Sequence, residues 1–233
     1  MTRPRTSVCG MAHEGGSAAC GLENEMAQPK EERVRRRKRM GDEVRDEALV
    51  AARKLLLDSG PAAVTLANVG REIGMSHANV LHHFGSAASL QSALMGSMIR
   101  DLTTALDNVV ELLKTDAAAP RTVADKVFDA FDKGGAGPLA AWIILSGDVK
   151  QLEPVREAVR GLVEAIVGQA TDEGAPERVR SAVLMMAVCA FGDAMIGPHV
   201  REMLDQDDDA MRDLIARILP LFLIPSGIPP AVS

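Results

Sequence analysis

The side chains best suited to chemistry fall in one stretch, residues 65–84, which reads TLANVGREIGMSHANVLHHF. Two short helices that cross steeply need a small residue where they approach, and Gly70 is placed to meet that need. The turn between them requires a positive φ, which Gly74 can adopt. Val80 is then inward, and the outward positions of the second helix are His77, Ala78, Asn79, Leu81 and His82. A short helix held out on a packed base is how a helix-turn-helix enters a DNA major groove.

Helical spacing of apolar residues continues on both sides of this stretch and predicts an all-α protein. Thr65 and Ser76 are typical N-caps of the two short helices, the second of which covers 77–84. We predict one helix before them, over 42–58, and a long helix after them, over 86–114. Further helices are predicted over 122–132, 138–146, 154–171, 177–196 and 208–223. Gly197-Pro198 is expected to end the helix that begins near residue 177.

Charge is divided unevenly along the chain, whose net charge is −6. Residues 30–100 carry 12 basic and 8 acidic side chains, a net charge of +4, whereas residues 101–233 carry a net charge of −9. Six of the seven residues 33–39 are basic, and such an arm near phosphates gains affinity through counterion release. This pattern favours an N-terminal part that faces nucleic acid, although a solvated arm without a target has the same composition.

Residues 43–100 resemble the N-terminal domain of the tetracycline-repressor (TetR) family of bacterial regulators. The features that carry the resemblance are the run Leu49…Leu55-Leu56…Gly60, then Thr65, Gly74-Met75-Ser76, His83-Phe84 and Ser86…Leu90. The resemblance implies a three-helix helix-turn-helix domain over 41–100. The composition of residues 1–40 predicts a disordered and basic extension before it. A helical hairpin that touches no DNA is the alternative for the same residues.

The resemblance also implies roles for individual positions. His77, Ala78 and Leu81 would face bases, Thr65 and His83 would contact phosphates, and Phe84 would pack beneath the reading helix. From their outward positions we also assign His82 to the phosphates and Asn79 to the bases, although Asn79 could equally bond to backbone or to a phosphate. The family usually has Tyr where this chain has Leu81 and Lys where it has Ala87, so two phosphate contacts are missing. We expect Arg35, Arg36 and Arg37 of the basic arm to compensate by lying along the minor groove or backbone.

Composition excludes several other classes of function. Aromatic residues make up only 3%, which argues against a surface that stacks single-stranded bases. Three cysteines cannot form a disulfide framework, and no continuous run of 18 apolar residues suggests a membrane span, so a cytoplasmic protein is expected. The chain has no nucleophile motif, phosphate loop or dinucleotide motif. We therefore expect no enzyme, no cofactor and no metal site.

The resemblance further implies that residues 101–226 form a helical domain that binds a ligand and dimerises, followed by a tail over 227–233. The last two helices carry more apolar surface than one face needs, which favours a homodimer. A pocket for an unknown small-molecule effector would be lined by Phe128, Phe131, Trp142, Leu145, Met185, Cys189 and Met195. Asp193 or His199 would supply a polar anchor, although each of these residues also fits an ordinary core.

The sequence thus predicts a DNA-binding transcriptional regulator, a repressor that its ligand releases from a pseudo-palindromic operator. The alternative is a helical small-molecule-binding or scaffold protein whose helix-turn-helix no longer binds DNA.

Overall fold

The computed structural model describes residues 30–147, 152–170 and 172–223, which contain ten α-helices and no strand. The all-α prediction is therefore confirmed. The helices are α1 Lys30–Ser59, α2 Leu66–Glu72, α3 His77–Phe84, α4 Ala87–Ala105, α5 Val109–Thr115, α6 Ala119–Phe131, α7 Ala136–Leu145, α8 Glu153–Val167, α9 Ala175–Met203 and α10 Ala210–Leu223.

The chain divides into two compact units, Met1–Val44 and Arg45–Ser233. Helix α1 begins at Lys30, earlier than the predicted start near Asp42, so the backbone of residues 33–39 is helical. The expectation of disorder over 1–40 is therefore wrong for residues 30–40, whereas residues 1–29 and the tail 227–233 lie outside the described residues.

The long helix predicted over 86–114 is wrong, because the chain bends between α4 and α5. Asn108 adopts a left-handed conformation with φ of 58°. Its backbone N–H donates to the Asp107 carboxylate at 3.0 Å, which draws that N–H away from the helical pattern. The interruption could not be predicted from the sequence, because the helical spacing of apolar residues continues on both sides of the bend.

The predicted helix end at Gly197-Pro198 is also wrong, since α9 continues to Met203. Pro198 has no N–H to donate within the helix. An ion pair between Asp193 and Arg201 spans the proline, and Gly197 leaves room for it because a Cβ there would collide with both side chains. Contacts between side chains of the same helix therefore override the local signal of Gly197-Pro198.

Two hydrophobic clusters hold the unit Arg45–Ser233 together. We call the first the head cluster; it contains buried residues of α1 to α4, such as Leu56, Val69, Val80 and Leu90, and also Ala136, Leu139 and Ile143 of α7. The second, the body cluster, is formed mainly by α6, α8, α9 and α10. Ile99 and Phe131 pack against both clusters. The predicted boundary at residue 100 falls inside α4, which links the two.

Helix α9 is unusually apolar, although it has no continuous run of 18 apolar residues. It contains an 18-residue window with a mean hydropathy of 1.7, which by length and composition could cross a membrane. Val179, Ala182, Met186 and Ala190 of α9 are buried in the body cluster, as in a core helix of a helical bundle. Only 22% of the window is buried, however, so α9 also presents an uncovered apolar surface.

Ion pairs join α6 to α10. The Arg212 guanidinium donates to Asp129 at 2.9 Å and to Asp125 at 3.3 Å, and its side chain is only 13% exposed. Arg121 binds Asp125 on its own helix and Asp209 near the start of α10. Partial burial raises the pKa of Asp129, but hydrogen bonds from Lys133 and Arg212 outweigh it and lower that pKa overall.

Replacing Arg212 by leucine should lower the free energy of unfolding at neutral pH by about 1.5–3 kcal/mol, because two carboxylates lose a charged donor. Arg156→Leu is the control: Arg156 makes an exposed pair with Glu153, and its loss should cost less than ~1 kcal/mol. A carboxylate whose folded pKa is lowered contributes stability that is complete above its unfolded pKa, about 3.9, and is lost as pH falls through the folded value. Urea unfolding should therefore show a smaller effect of Arg212→Leu in acid; a difference that does not change with pH would contradict this assignment.

Candidate nucleic-acid interface

Helices α2 and α3 form the helix-turn-helix, and each begins at a hydroxyl cap. The Thr65 Oγ1 accepts a hydrogen bond from the Asn68 N–H at 3.2 Å, and the Ser76 Oγ accepts one from the Asn79 N–H at 3.2 Å. Each cap satisfies a backbone donor that the first helical turn leaves without a partner. Both caps occur where the sequence predicts them.

The crossing of the two helices depends on Gly70 and Gly74. A Cβ at position 70 would lie 2.7 Å from the Met75 carbonyl oxygen, which is closer than real contacts allow. The Met75 N–H donates to the Gly70 carbonyl at 2.7 Å, and Gly74 takes a φ of 67°. The backbone of α2 at Gly70 thus lies directly against the backbone of the turn at Met75, and any side chain at position 70 would push them apart.

Helix α3 is fixed on its inner face and at its end. Val80 and Phe84 are buried in the head cluster. The Arg45 guanidinium donates to the His83 carbonyl and lies 4.6 Å from the centroid of the Phe84 ring. This contact satisfies a carbonyl that the end of a helix leaves open. The geometry presents α3 as a rigid ridge rather than as a flexible loop.

The outer face of α3 carries the residues predicted to read bases. His77, Ala78, Asn79, Leu81 and His82 are exposed, and His83 is half-buried. The rings of His82 and His83 lie edge to face with centroids 5.7 Å apart. Thr65, the residue predicted to contact a phosphate, is half-buried at the start of α2. It therefore belongs to the same helix-turn-helix as α3 but not to the outer face of α3.

Other predicted contacts are placed differently. The side chains of Arg35, Arg36 and Arg37 lie outside the described residues, although their backbone belongs to α1. Ala87 packs against the head cluster, which leaves no polar group at that position. Sequence reasoning passed over Arg71, an exposed cation in the last turn of α2 that donates to Asn68 Oδ1 at 3.2 Å. Arg71 could have been identified from the sequence, because it is a positively charged residue within the helix-turn-helix segment.

The body contains two adjoining apolar cavities. The inner cavity, of about 130 Å³, lies between α4, α6, α8 and α9; the outer cavity, of about 260 Å³, lies between α4, α6, α7 and α8. Of the predicted pocket residues, only Phe131 lines these cavities, and it lines both. Sequence reasoning missed Ile99 and Leu102 of α4, which also line both. Their apolar spacing was visible, but nothing local showed that they face a void.

The remaining predicted pocket residues are dispersed. Phe128 is buried in the body cluster, and Met185 packs at its edge. Trp142 and Leu145 are exposed on α7, and His199 is exposed on α9. Cys189 and Asp193 line a separate groove between α9 and α10, where burial raises the pKa of the Cys189 thiol and Asp193 pairs with Arg201. The structure does not bring the predicted polar anchors to an apolar cavity.

Comparison with known proteins places the helix-turn-helix in a family. Residues 48–94 match the sequence profile described as "Bacterial regulatory proteins, tetR family". A curated relative, the HTH-type transcriptional regulator BetI of Rhizobium meliloti (strain 1021), is 32% identical over 116 residues, which are 48% of this chain and 56% of that protein. The chain thus matches only about half the length of this relative.

A solved structure has the same overall fold. It is a crystal structure assigned to the TetR family of transcriptional regulators, from Mesorhizobium loti MAFF303099. It superposes with a TM-score of 0.50 over 78% of this chain and 96% of that chain. At 15% identity, this likeness concerns the fold alone.

Gly70→Ala should destabilise the protein by about 1–3 kcal/mol, because the added methyl would force the α2–α3 crossing apart. Gly161→Ala is the matched control: it lies on α8 with no atom within 4 Å of the new Cβ, and it should stabilise by up to ~1 kcal/mol. Urea unfolding followed by circular dichroism measures both. Equal effects of the two substitutions would contradict the close crossing.

Proposed function

We propose that this chain, whose residues 48–94 match the tetR family of bacterial regulatory proteins, is a cytoplasmic transcriptional repressor that binds a pseudo-palindromic operator as a homodimer and is released by a small molecule. The observation that carries the proposal is the outer face of α3. Its polar and small side chains are exposed, while Val80, Phe84 and the Arg45 contact hold the helix rigidly. A helix that is both exposed and fixed suits insertion into a groove.

The proposed roles follow from the placement of each side chain. His77, Ala78, Asn79 and Leu81 face base edges, where Asn79 can hydrogen-bond and Leu81 can contact a thymine methyl. The Thr65 hydroxyl accepts from the Asn68 N–H, and its own hydrogen remains available to a phosphate oxygen. His82, His83 and the α1 cations Arg35, Arg36 and Arg37 would add further backbone contacts.

The homodimer would form through α9 and α10, as the sequence predicts. An exposed apolar ridge on α9 recurs every four residues, at Leu184, Val188, Ile196 and Val200 with Gly192 between them. Ridges of this spacing interdigitate when two helices cross at about −50°. Leu214 and Leu221 extend the apolar surface onto α10. Two copies would bury both surfaces in a four-helix interface with two-fold symmetry.

Two-fold symmetry would place two copies of α3 about one helical turn of DNA apart, roughly 34 Å. The body is acidic, with a net charge of −9 over residues 101–233, so it is repelled by DNA and favours approach through the head. A ligand that changes the separation of the two heads would lower affinity for the operator by shifting the population of dimers.

Substitution of His77 by alanine should change which sites are recovered from a random duplex library, because one base contact is worth about 1–3 kcal/mol of discrimination. Thr65→Val should instead weaken all sites alike, since it removes a phosphate contact, and Thr65→Ser should retain affinity. Anisotropy titrations over a range of salt concentrations measure each affinity. If the wild-type protein binds no duplex at low ionic strength, the scaffold alternative is favoured and the proposal is wrong.

Ile196→Glu should convert the dimer into monomers and reduce operator affinity at least tenfold, because it buries two carboxylates in the proposed interface. Leu112→Glu is the control, an equally polar change at an exposed apolar residue of α5. Sedimentation equilibrium of both variants reports the assembly. A dimer that survives Ile196→Glu would exclude the α9 ridge as its interface.

A further inference from the structure

We propose that the effector is a small, uncharged and largely unbranched apolar molecule bound in the two cavities beside α4. This inference rests on the ligand-responsive function proposed above and adds the chemical class of the ligand. It follows from the lining of the cavities, their sizes and the absence of a polar partner for a charged ligand.

The inner cavity is lined entirely by apolar side chains. Leu102 of α4, Val127 of α6, Leu162 of α8 and Met186 of α9 approach it from four sides. Its volume of about 130 Å³ is close to that of dry protein cavities, about 150 Å³, that bind benzene-sized molecules. A space lined only by apolar side chains offers no hydrogen-bond partner to water and so favours an apolar guest.

The outer cavity lies directly beside the inner one. Four residues line both: Ile99, Leu102, Phe131 and Val159. These shared residues form a wall between the two spaces, so one ligand could occupy both only if side chains such as Phe131 or Leu102 rotated. A combined space that is narrow at this wall fits a linear chain better than a bulky ring system. Every side chain that lines the outer cavity is apolar as well.

Nothing in either cavity could receive a charge. Among the described residues, the buried side-chain atoms without a hydrogen-bond partner are Ser92 Oγ, Arg178 Nε and Arg201 Nε, and these residues line neither cavity. Asp193 is paired with Arg201, and His199 is exposed to solvent. Burying an unpaired carboxylate or ammonium among aliphatic side chains is strongly unfavourable. The lining therefore selects a neutral ligand.

The same cavities touch the core of the DNA-binding head. Met95 and Met98 of α4 and Ala136 and Ile143 of α7 belong to the head cluster and also line the outer cavity. A ligand there would contact α4 and α7 directly, without a relay through other residues. Occupancy of the outer cavity is thus placed to alter the packing beneath the helix-turn-helix.

Titration calorimetry with hexanol, octanol and decanol tests the inference, with octanoate and octylammonium as charged partners of matched length. We expect the affinity to rise about fourfold for each added methylene until the cavities are filled. Octanoate and octylammonium should bind at least about tenfold more weakly than octanol. Charged probes that bind as tightly as octanol, or alcohols that do not bind, would overturn the proposal.

A filled cavity provides the matched variant. Ala182→Leu adds a larger side chain at a buried residue that lines the inner cavity, and it should weaken octanol binding at least about tenfold. Ala165→Leu makes the same change on the exposed surface of α8 and should leave binding unchanged. Circular dichroism verifies folding, and Ala187→Leu, half-buried on the same cavity, replaces Ala182→Leu if that variant does not fold. Equal octanol affinity in the filled variant and the control would overturn the assigned site.

DNA anisotropy measured on the same preparations separates this inference from the proposed function. Octanol that binds the wild type but leaves operator affinity unchanged supports the ligand class and contradicts release by ligand. Intact operator binding without any alcohol binding overturns the ligand class alone.

Discussion

Helix α4 constrains the rest of the structure because it belongs to two hydrophobic clusters at once. Leu90 and Leu94 near its start are buried in the head cluster, whereas Ile99 and Leu102 near its end pack against the body cluster. Gly96 lies between them, and a Cβ there would be 2.7 Å from the Pro154 carbonyl oxygen, so α8 is packed backbone to backbone on α4. Because α4 is one continuous helix, a change in how α8 packs on it would also reach the residues of α4 that pack beneath α2 and α3.

Helix α7 adds a second connection between head and body. Gly135 precedes it with a φ of 81°, and a Cβ there would lie 3.1 Å from Leu56 of α1. Ala136, Leu139 and Ile143 then complete the head cluster from the body side. The three-helix head therefore does not bury its core by itself. Its core is completed by elements that also enclose the outer cavity, so the proposed DNA binding and the proposed ligand binding would share one packed unit.

Local signals in the sequence were enough to predict the helix-turn-helix. Gly70, Gly74, Thr65 and Ser76 act within a few residues of their own positions, so each could be read without knowing the fold. The same local reasoning gave wrong predictions at Pro198 and at Asn108. An ion pair from Asp193 to Arg201 crosses the proline, and a left-handed residue interrupts an otherwise regular apolar pattern. The pocket was least predictable, since apolar spacing does not tell whether Phe131 or Trp142 borders a void. That distinction depends on how distant helices pack.

An apolar ligand site also fits the free energy that a switch of this kind requires. Moving a two-state equilibrium from 1:99 to 99:1 needs about 5.5 kcal/mol of preferential binding to one state. Burial of a methylene contributes about 0.8 kcal/mol, so a chain of roughly seven methylenes suffices if only one state keeps the cavities open. On the proposal made above, opening of the boundary formed by Ile99, Leu102, Phe131 and Val159 would supply such a difference between states, because the closed form keeps two small voids and the open form would admit the whole chain. Ile99 and Phe131 also pack against both clusters, so the same opening would alter the packing that supports α3.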